Sequence, residues 1–327
     1  MSPADVQYIS TYRVRPLNSN KESGKIPLTP WDLTLLPVQY IQKGILFLKP
    51  QSRQTKEEQA FLVDQLKKSL APTLDFFFPL AGRLAMEKHK DDSISFFIKC
   101  NDQGASLVHA PAEVLVSDIL DPVYVPPVVY RFFPINYATN YDGLRLPLLS
   151  IQVTFLIDGI FIGCTMNHSV CDGSSFWHFM NSWSAVTRGK AGELVERGLG
   201  WAAWLLNQTI TSHNDSEVRS SWEAWMKKPL LMTRSKAATG LITGSSPRFN
   251  VYENDFGWGK PIGVRSGCGN KSEGNISVYP GPVEGSVEIE ACLLTNTLKA
   301  MGEDLEFSVY AKQLLFLFSF FFIKSIS

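Results

Sequence analysis

Three things are scarce in this sequence, and each scarcity removes a class of protein. Apolar runs are short: the segment 314–323 is about half of the roughly 20 residues a helix needs to cross a bilayer, so no membrane association is expected. Charge of one sign is missing, since Lys+Arg and Asp+Glu both total 31. Zero net charge gives no general pull on polyanions, so no nucleic acid partner is expected, and ligand phosphates need a local basic cluster. Paired cysteines are missing too: Cys100, Cys164, Cys171, Cys268 and Cys292 are odd in number and scattered, with no Cys-x-x-Cys. That argues against a disulfide framework. The opening MSPADVQYIS has no apolar signal segment, so a reducing, cytoplasmic compartment is expected. What is present is core material: 45% hydrophobic residues over 327 positions, enough for two domains.

The chain is organised around 146–183. An apolar segment, LPLLSIQVTFLIDGIFIGCTM, leads into Asn167-His168-Ser169-Val170-Cys171-Asp172-Gly173 and then an aromatic helical pattern, SSFWHFMNSW. A histidine at the end of a buried strand sits on a rigid scaffold at an element boundary, where side chains meet substrate. Imidazole, with an unperturbed pKa of about 6.5, can take a proton from a hydroxyl or amine and return it to a leaving group. His168 is therefore the first candidate for chemistry. Asp172 has two readings. On a helical turn it shares a face with His168 and orients the ring; in a strand-to-helix loop it braces the loop or caps a helix beginning near Ser174 or Ser175. Gly173 then supplies backbone freedom. A His-x-x-x-Asp-Gly string arises by chance in about 2 chains in 100, so it needs a second signal.

That signal is Asp255-Phe256-Gly257-Trp258-Gly259. None of its residues is a catalytic type. Two glycines flanking an indole predict a tight loop with Trp258 as its anchor, and Asp255 is a carboxylate that needs a buried cation or backbone donors. The motif is read as structural.

Together the two motifs resemble the plant BAHD acyltransferases, the His-x-x-x-Asp family that uses acyl-coenzyme A. PLTPWDL at 27–33, LDFFFPLAGRL at 74–84 and the segment 260–294 are also similar to that family, and to its branch of shikimate hydroxycinnamoyltransferase-like and uncharacterised acetyltransferase-like members. The resemblance implies an α/β fold of two chloramphenicol-acetyltransferase-like domains with a solvent channel between them. These would be an N-terminal domain over 1–189 and a C-terminal one over 190–308, followed by an atypical apolar tail at 309–327. It implies transfer of an acyl group from acyl-CoA, a co-substrate and not a resident cofactor, to an alcohol or amine of a plant specialised metabolite by a cytoplasmic monomer. His168 matches the family's catalytic base, acting in a ternary complex without an acyl-enzyme. Asp172 is implied as structural, turned away from the channel and paired with an arginine.

The sequence departs from the family in two places. The motifs at 168–173 and 255–259 stand close together, whereas the family has a long central segment between them. Roughly 100 or more residues, a domain-sized piece, are absent, with the join between 187–189 and 191–194. The second domain is therefore expected to be incomplete, and the family's Asn-x-Arg stretch, the expected partner of Asp172, goes with the missing piece. Gly244 and Ser246 stand where hydroxycinnamoyltransferases carry a Thr and a Trp, and offer less side chain to an aromatic acyl group or its oxyanion. The alternative reading is a truncated, inactive member acting at most as a binding module. Cys171 as a covalent nucleophile needs electropositive surroundings. A metal on His168 and Asp172 lacks a third ligand, and none is expected.

Elsewhere, alternation predicts strands at 6–16, 41–49, 93–100 and 103–111, with PLTPWDLTLLPVQY as a loop in which Trp31 is an anchor and Asp32 a turn residue. Thr55 caps a predicted helix carrying Phe61, Leu62, Leu66 and Leu70 on one face, and Phe76, Phe77 and Phe78 read as core. Phe176, Phe179, Met180 and Trp183 form a core stripe, with His178 off it and exposed. His109 reads as an exposed or satisfied loop histidine. Helices are expected at 191–208 and 216–228, strands at ISVYP and SVEIEACLL, and a last helix capped by Thr295. Lys260, Arg265 and Lys271 cluster in sequence and are the candidates for coenzyme A phosphates. The tail, if exposed, is an aggregation hazard.

Overall fold

The computed structural model describes residues 6–18, 24–48, 55–122, 124–189, 241–269, 271–304 and 318–324, with Glu223 and Lys227. The helix expected at 191–208 lies outside the described residues, and of that at 216–228 only Glu223 and Lys227, both helical, are described. Among the described residues, no helix is long and apolar enough to cross a membrane.

A six-stranded sheet carries the site. Its strands are β1 (Ser10–Val14), β3 (Ile41–Leu48), β6 (Ala105–Pro111), β7 (Leu149–Phe155), β8 (Gly159–Met166) and β10 (Gly263–Ser266), in the order β1-β6-β7-β8-β3-β10. A three-stranded sheet of β2 (Lys25–Pro27), β5 (Ile94–Lys99) and β4 (Arg83–Lys88) lies beside it, and a four-stranded sheet is ordered β13 (Phe318–Lys324), β12 (Val287–Leu293), β11 (Asn275–Pro280), β9 (Ile242–Gly244). The helices are α1 (Pro30–Thr34), α2 (Lys56–Phe76), α3 (Val116–Leu120), α4 (Gly173–Thr187) and α5 (Thr295–Glu303).

The apolar segment of the sequence folds as the β7–β8 hairpin, both strands buried along their whole length. A continuous apolar run is what a strand covered on both faces requires. One face packs on α2 and α4 through Leu62, Leu66, Leu70, Phe176, Phe179 and Trp183. The other packs on Val129, Phe132, Phe133 and Ile119.

Local signals behave as their chemistry dictates, with informative exceptions. Thr55 and Glu58 close a capping box at the start of α2, satisfying donors that the first turn leaves open. Phe61 is 57% exposed, because it stands one residue, about 100° of helix, away from the Leu62 stripe. The helix runs on through Pro72 to Phe76, which leaves Phe76 exposed while Phe77 and Phe78 are only partly buried. The expected PLTPWDL loop contains α1, capped by Thr29 and with Asp32 closing its own capping box; Trp31, expected as an anchor, is exposed. His109 lies buried in β6 against Phe155, and half-buried His178 packs on Phe77. Thr295 is the first residue of α5, whose N-cap is Leu294.

Beyond the second motif the chain crosses back to the first sheet. Strand β10, from beyond the second motif, pairs antiparallel with β3, Val264 opposite Ile45 and Ser266 opposite Lys43. The four-stranded sheet has a small core of its own: Ala291, Leu293 and Leu298, flanked by Ile276 and Met301. The end of the atypical apolar tail supplies β13, which pairs parallel with β12 from Val287↔Phe318 to Leu293↔Lys324.

Replacing Leu66 with Ala should lower stability by about 2–5 kcal/mol, since it empties a packed site, whereas Phe61→Ala should change it by less than about 0.5 kcal/mol. Urea midpoints at unchanged slope measure both.

Candidate active site

His168 leaves the end of β8 on a loop fixed by asparagines. Asn167, buried, accepts from the Ser169 amide at 3.1 Å and donates through Nδ2 to the Asn140 carbonyl at 2.8 Å. Asn140, also fully buried, accepts the His168 amide on Oδ1 at 2.6 Å and donates to the Leu35 carbonyl at 2.8 Å. Asn140 comes from a Pro- and Asn-rich stretch with no periodicity, so sequence pattern does not mark it. Its only signal was an amide side chain amid turn residues.

The imidazole is held by one nitrogen. Nδ1 lies 3.0 Å from the Cys171 carbonyl oxygen. A carbonyl only accepts, so Nδ1 carries the proton and Nε2 presents the lone pair. Burial pushes the His168 pKa below its ordinary value, the bonds to backbone and the Asp172 charge oppose this, and the Lys43 charge adds to it. The ring is therefore neutral and basic at pH 7, and it keeps part of its surface exposed.

Asp172 follows the second of its two readings. It is the N-cap of α4, accepting from the Ser175 amide on Oδ1 at 2.8 Å, and among the described residues no arginine reaches it. Gly173 does not have positive φ; a Cβ there would stand 2.8 Å from the Phe249 ring, so the requirement is space and not backbone freedom. Cys171 is buried, its thiol directed at the Asp172 carbonyl, and burial first, then Asp172, pushes its pKa up. A thiol so placed is a poor nucleophile.

The second motif forms a turn around Asp255. Its Oδ1 accepts from the Gly257 and Gly259 amides at 2.8 and 3.1 Å, and Oδ2 pairs with Arg188 at 3.3 Å. Burial alone would raise this carboxyl, but the two amides and Arg188 outweigh it and hold the pKa below the ordinary range. Gly257 and Gly259 both have positive φ, where a side chain is strained. Phe256, not Trp258, is the deeper anchor: it is buried against Trp183 at 4.7 Å, and half-buried Trp258 stacks on it at 5.6 Å.

The three candidate phosphate ligands do not come together. Arg265 is fully buried with its Nη1 3.5 Å from Glu288, and Lys271 is buried with its Nζ 3.3 Å from Glu290; neither can meet a solvated phosphate. Lys260 is exposed and pairs with Glu253 at 2.6 Å. Sequence proximity misled because β10 turns Arg265 inward to satisfy acids carried by β12. Lys43, unremarked in the sequence, points from β3 into the same interface, donating to the Tyr279 hydroxyl at 2.5 Å. Gly244 ends the exposed edge strand β9, and Ser246 accepts from the Arg248 amide in the turn that follows.

The model of the Transferase family matches residues 4–192 and 189–308. An uncharacterized acetyltransferase of Arabidopsis thaliana is 30% identical over 446 aligned residues, covering 93% of this chain and 99% of that protein. The alignment is longer than this chain's 327 residues, as a missing internal segment requires. BAHD acyltransferase DCR of Arabidopsis thaliana is 24% identical over 92% of both chains. Among solved structures, vinorine synthase superposes with a TM-score of 0.58 at 17% identity, covering 84% of this chain and 91% of that one. TRI101 of F. sporotrichioides, solved with coenzyme A and T-2, gives 0.62 at 13% identity, covering 88% and 98%. These likenesses extend to the fold.

Asp172→Ala should cost about 0.5–2 kcal/mol through the lost cap, with Asp172→Asn close to the parent protein; thermal melts of the two variants check it.

Proposed function

From the premise that this chain belongs to the Transferase family of BAHD acyltransferases, we propose that it moves an acyl group from acyl-CoA to a hydroxyl or amine, with His168 as general base. The observation that carries the reading is the Nδ1 contact with the Cys171 carbonyl, which leaves Nε2 as the basic atom on a partly exposed ring. The acceptor's O–H or N–H gives its proton to Nε2 as its heteroatom bonds to the thioester carbonyl carbon. The tetrahedral intermediate then collapses, the C–S bond breaks, and the coenzyme A thiolate takes the proton from Nε2. No acyl-enzyme is needed, and the buried Cys171 thiol is suited to none. Asp172 contributes by capping α4 and so fixing the loop that carries the base.

Acyl-CoA is a diffusible co-substrate in this reading, and of the three cations first considered Lys260 alone keeps the role of meeting its phosphates. TRI101 was solved with coenzyme A and with T-2, which supports both halves of the substrate assignment by analogy of fold. Five free, buried cysteines support a reducing, cytoplasmic setting; in this reading the protein acts as a monomer on a plant specialised metabolite. The second reading, an inactive member that binds without turnover, is favoured by the missing internal segment and by the small core of the four-stranded sheet. A chain that melts without cooperativity and binds a hydrophobic dye supports that second reading; a sharp transition raised by coenzyme A supports the first.

His168→Ala should lower kcat by about 10²- to 10⁴-fold while coenzyme A still raises the melting temperature. Unchanged turnover would remove His168 from the mechanism. Because the pKa of His168 lies below its ordinary 6.5, kcat/KM should fall as the pH drops through that lower value, where Nε2 becomes protonated. A rate profile from pH 4.5 to 8.5 tests the sign, and a limb centred above 6.5 contradicts it.

A further inference from the structure

Among the described residues, the interface between β3–β10 and β11–β12 holds three cations and two carboxylates in contact with them. Lys271 is paired with Glu290 and Arg265 with Glu288, and Ser266 bridges Lys271 to Glu290. The third cation, Lys43, makes no ion pair among the described residues. Its Nζ donates to two neutral hydroxyls, Tyr279 Oη at 2.5 Å and Ser277 Oγ at 3.4 Å. Both hydroxyls lie on the face of β11 whose cross-strand partners are Glu288 and Glu290, so the nearest acids are already engaged. Unlike Lys271 and Arg265, Lys43 retains some exposed surface, as do Ser277 and His168. It stands opposite Cys164 on β8, the strand that delivers His168 from its end, and its charge is felt at the His168 ring.

We propose that Lys43, with the hydroxyls of Tyr279 and Ser277, forms a recognition subsite for a carboxylate carried by the acyl acceptor. A buried ammonium without a counter-ion is costly, and a carboxylate brought by the acceptor completes the pairing that β12 leaves one charge short. Burial and Lys271 pull the Lys43 pKa down to about 7, against the attraction of Glu290; a bound carboxylate favours the charged form and draws a proton onto Nζ. The subsite rests on the acyl-transfer reading for the identity of its ligand, but it is tested by binding.

The probes are 3-hydroxybenzoate and 3-hydroxybenzyl alcohol, alike except for the carboxylate, titrated into the intact chain by calorimetry at pH 6.5, with acetyl-CoA turnover measured separately. The benzoate should bind the parent protein at least about tenfold more tightly, the scale of one charge-assisted hydrogen bond. Lys43→Gln and Lys43→Met should bring the ratio close to one without weakening the alcohol or the coenzyme A thermal shift, and Lys43→Arg should restore the preference. His168→Ala should keep the preference while losing turnover. Equal binding of both probes by the parent protein overturns the subsite whether or not a variant folds, and so does a ratio unchanged in a folded Lys43→Gln. A carboxylate preference without acyl transfer by the parent protein keeps the subsite and removes the reaction. If the preference follows malonyl-CoA over acetyl-CoA in place of the acceptor, the carboxylate belongs to the acyl group and the acceptor assignment fails.

Discussion

One hydrogen bond fixes the imidazole on which the proposed chemistry rests, that between His168 Nδ1 and the Cys171 carbonyl. It settles the tautomer, aims the ring and leaves Nε2 as the basic nitrogen, a task that the histidine of a catalytic triad assigns to a carboxylate. A backbone carbonyl can do this only if the backbone itself is immobile. The loop is held by Asn167 and Asn140 through bonds that cross to a distant part of the chain, and by Asp172 capping the helix that follows. Because β7, β8 and α4 are buried on the core side by large aromatic side chains, a shift of the loop would disturb packing that tolerates little change.

The second motif belongs to the same construction. Phe256 closes over Trp183 of α4, while Asp255 ties its own turn and reaches Arg188 just past the end of that helix. The motif thus anchors the start of β10, which crosses into the first sheet beside β3. Crossing strands of this kind link two lobes by main-chain hydrogen bonds, so the loss of a central segment need not separate them. The charged groups at this junction follow from the crossing: β10 and the turn beyond it bring Arg265 and Lys271 to Glu288 and Glu290 of β12, and burial raises the Glu288 pKa to about 7 despite Arg265.

Sequence pattern by itself determined the strands at 41–48 and 149–166, the capped helix from Thr55, the aromatic stripe of α4, the histidine at a strand end, and kinship with an acyltransferase family. Each follows from short-range rules of periodicity and capping, or from motifs whose residues lie close in the chain. Tertiary structure alone decided which nitrogen of His168 is basic, which reading of Asp172 holds, that Gly173 answers to the Phe249 ring, and that Phe256 lies deeper than Trp258. It also decided that Arg265 and Lys271 turn inward while Lys43 enters the same interface. The physical reason is common to all of these: each depends on a partner far along the chain, and a charge, a ring or an amide reads the same in sequence whether its partner is solvent or a buried group across the fold.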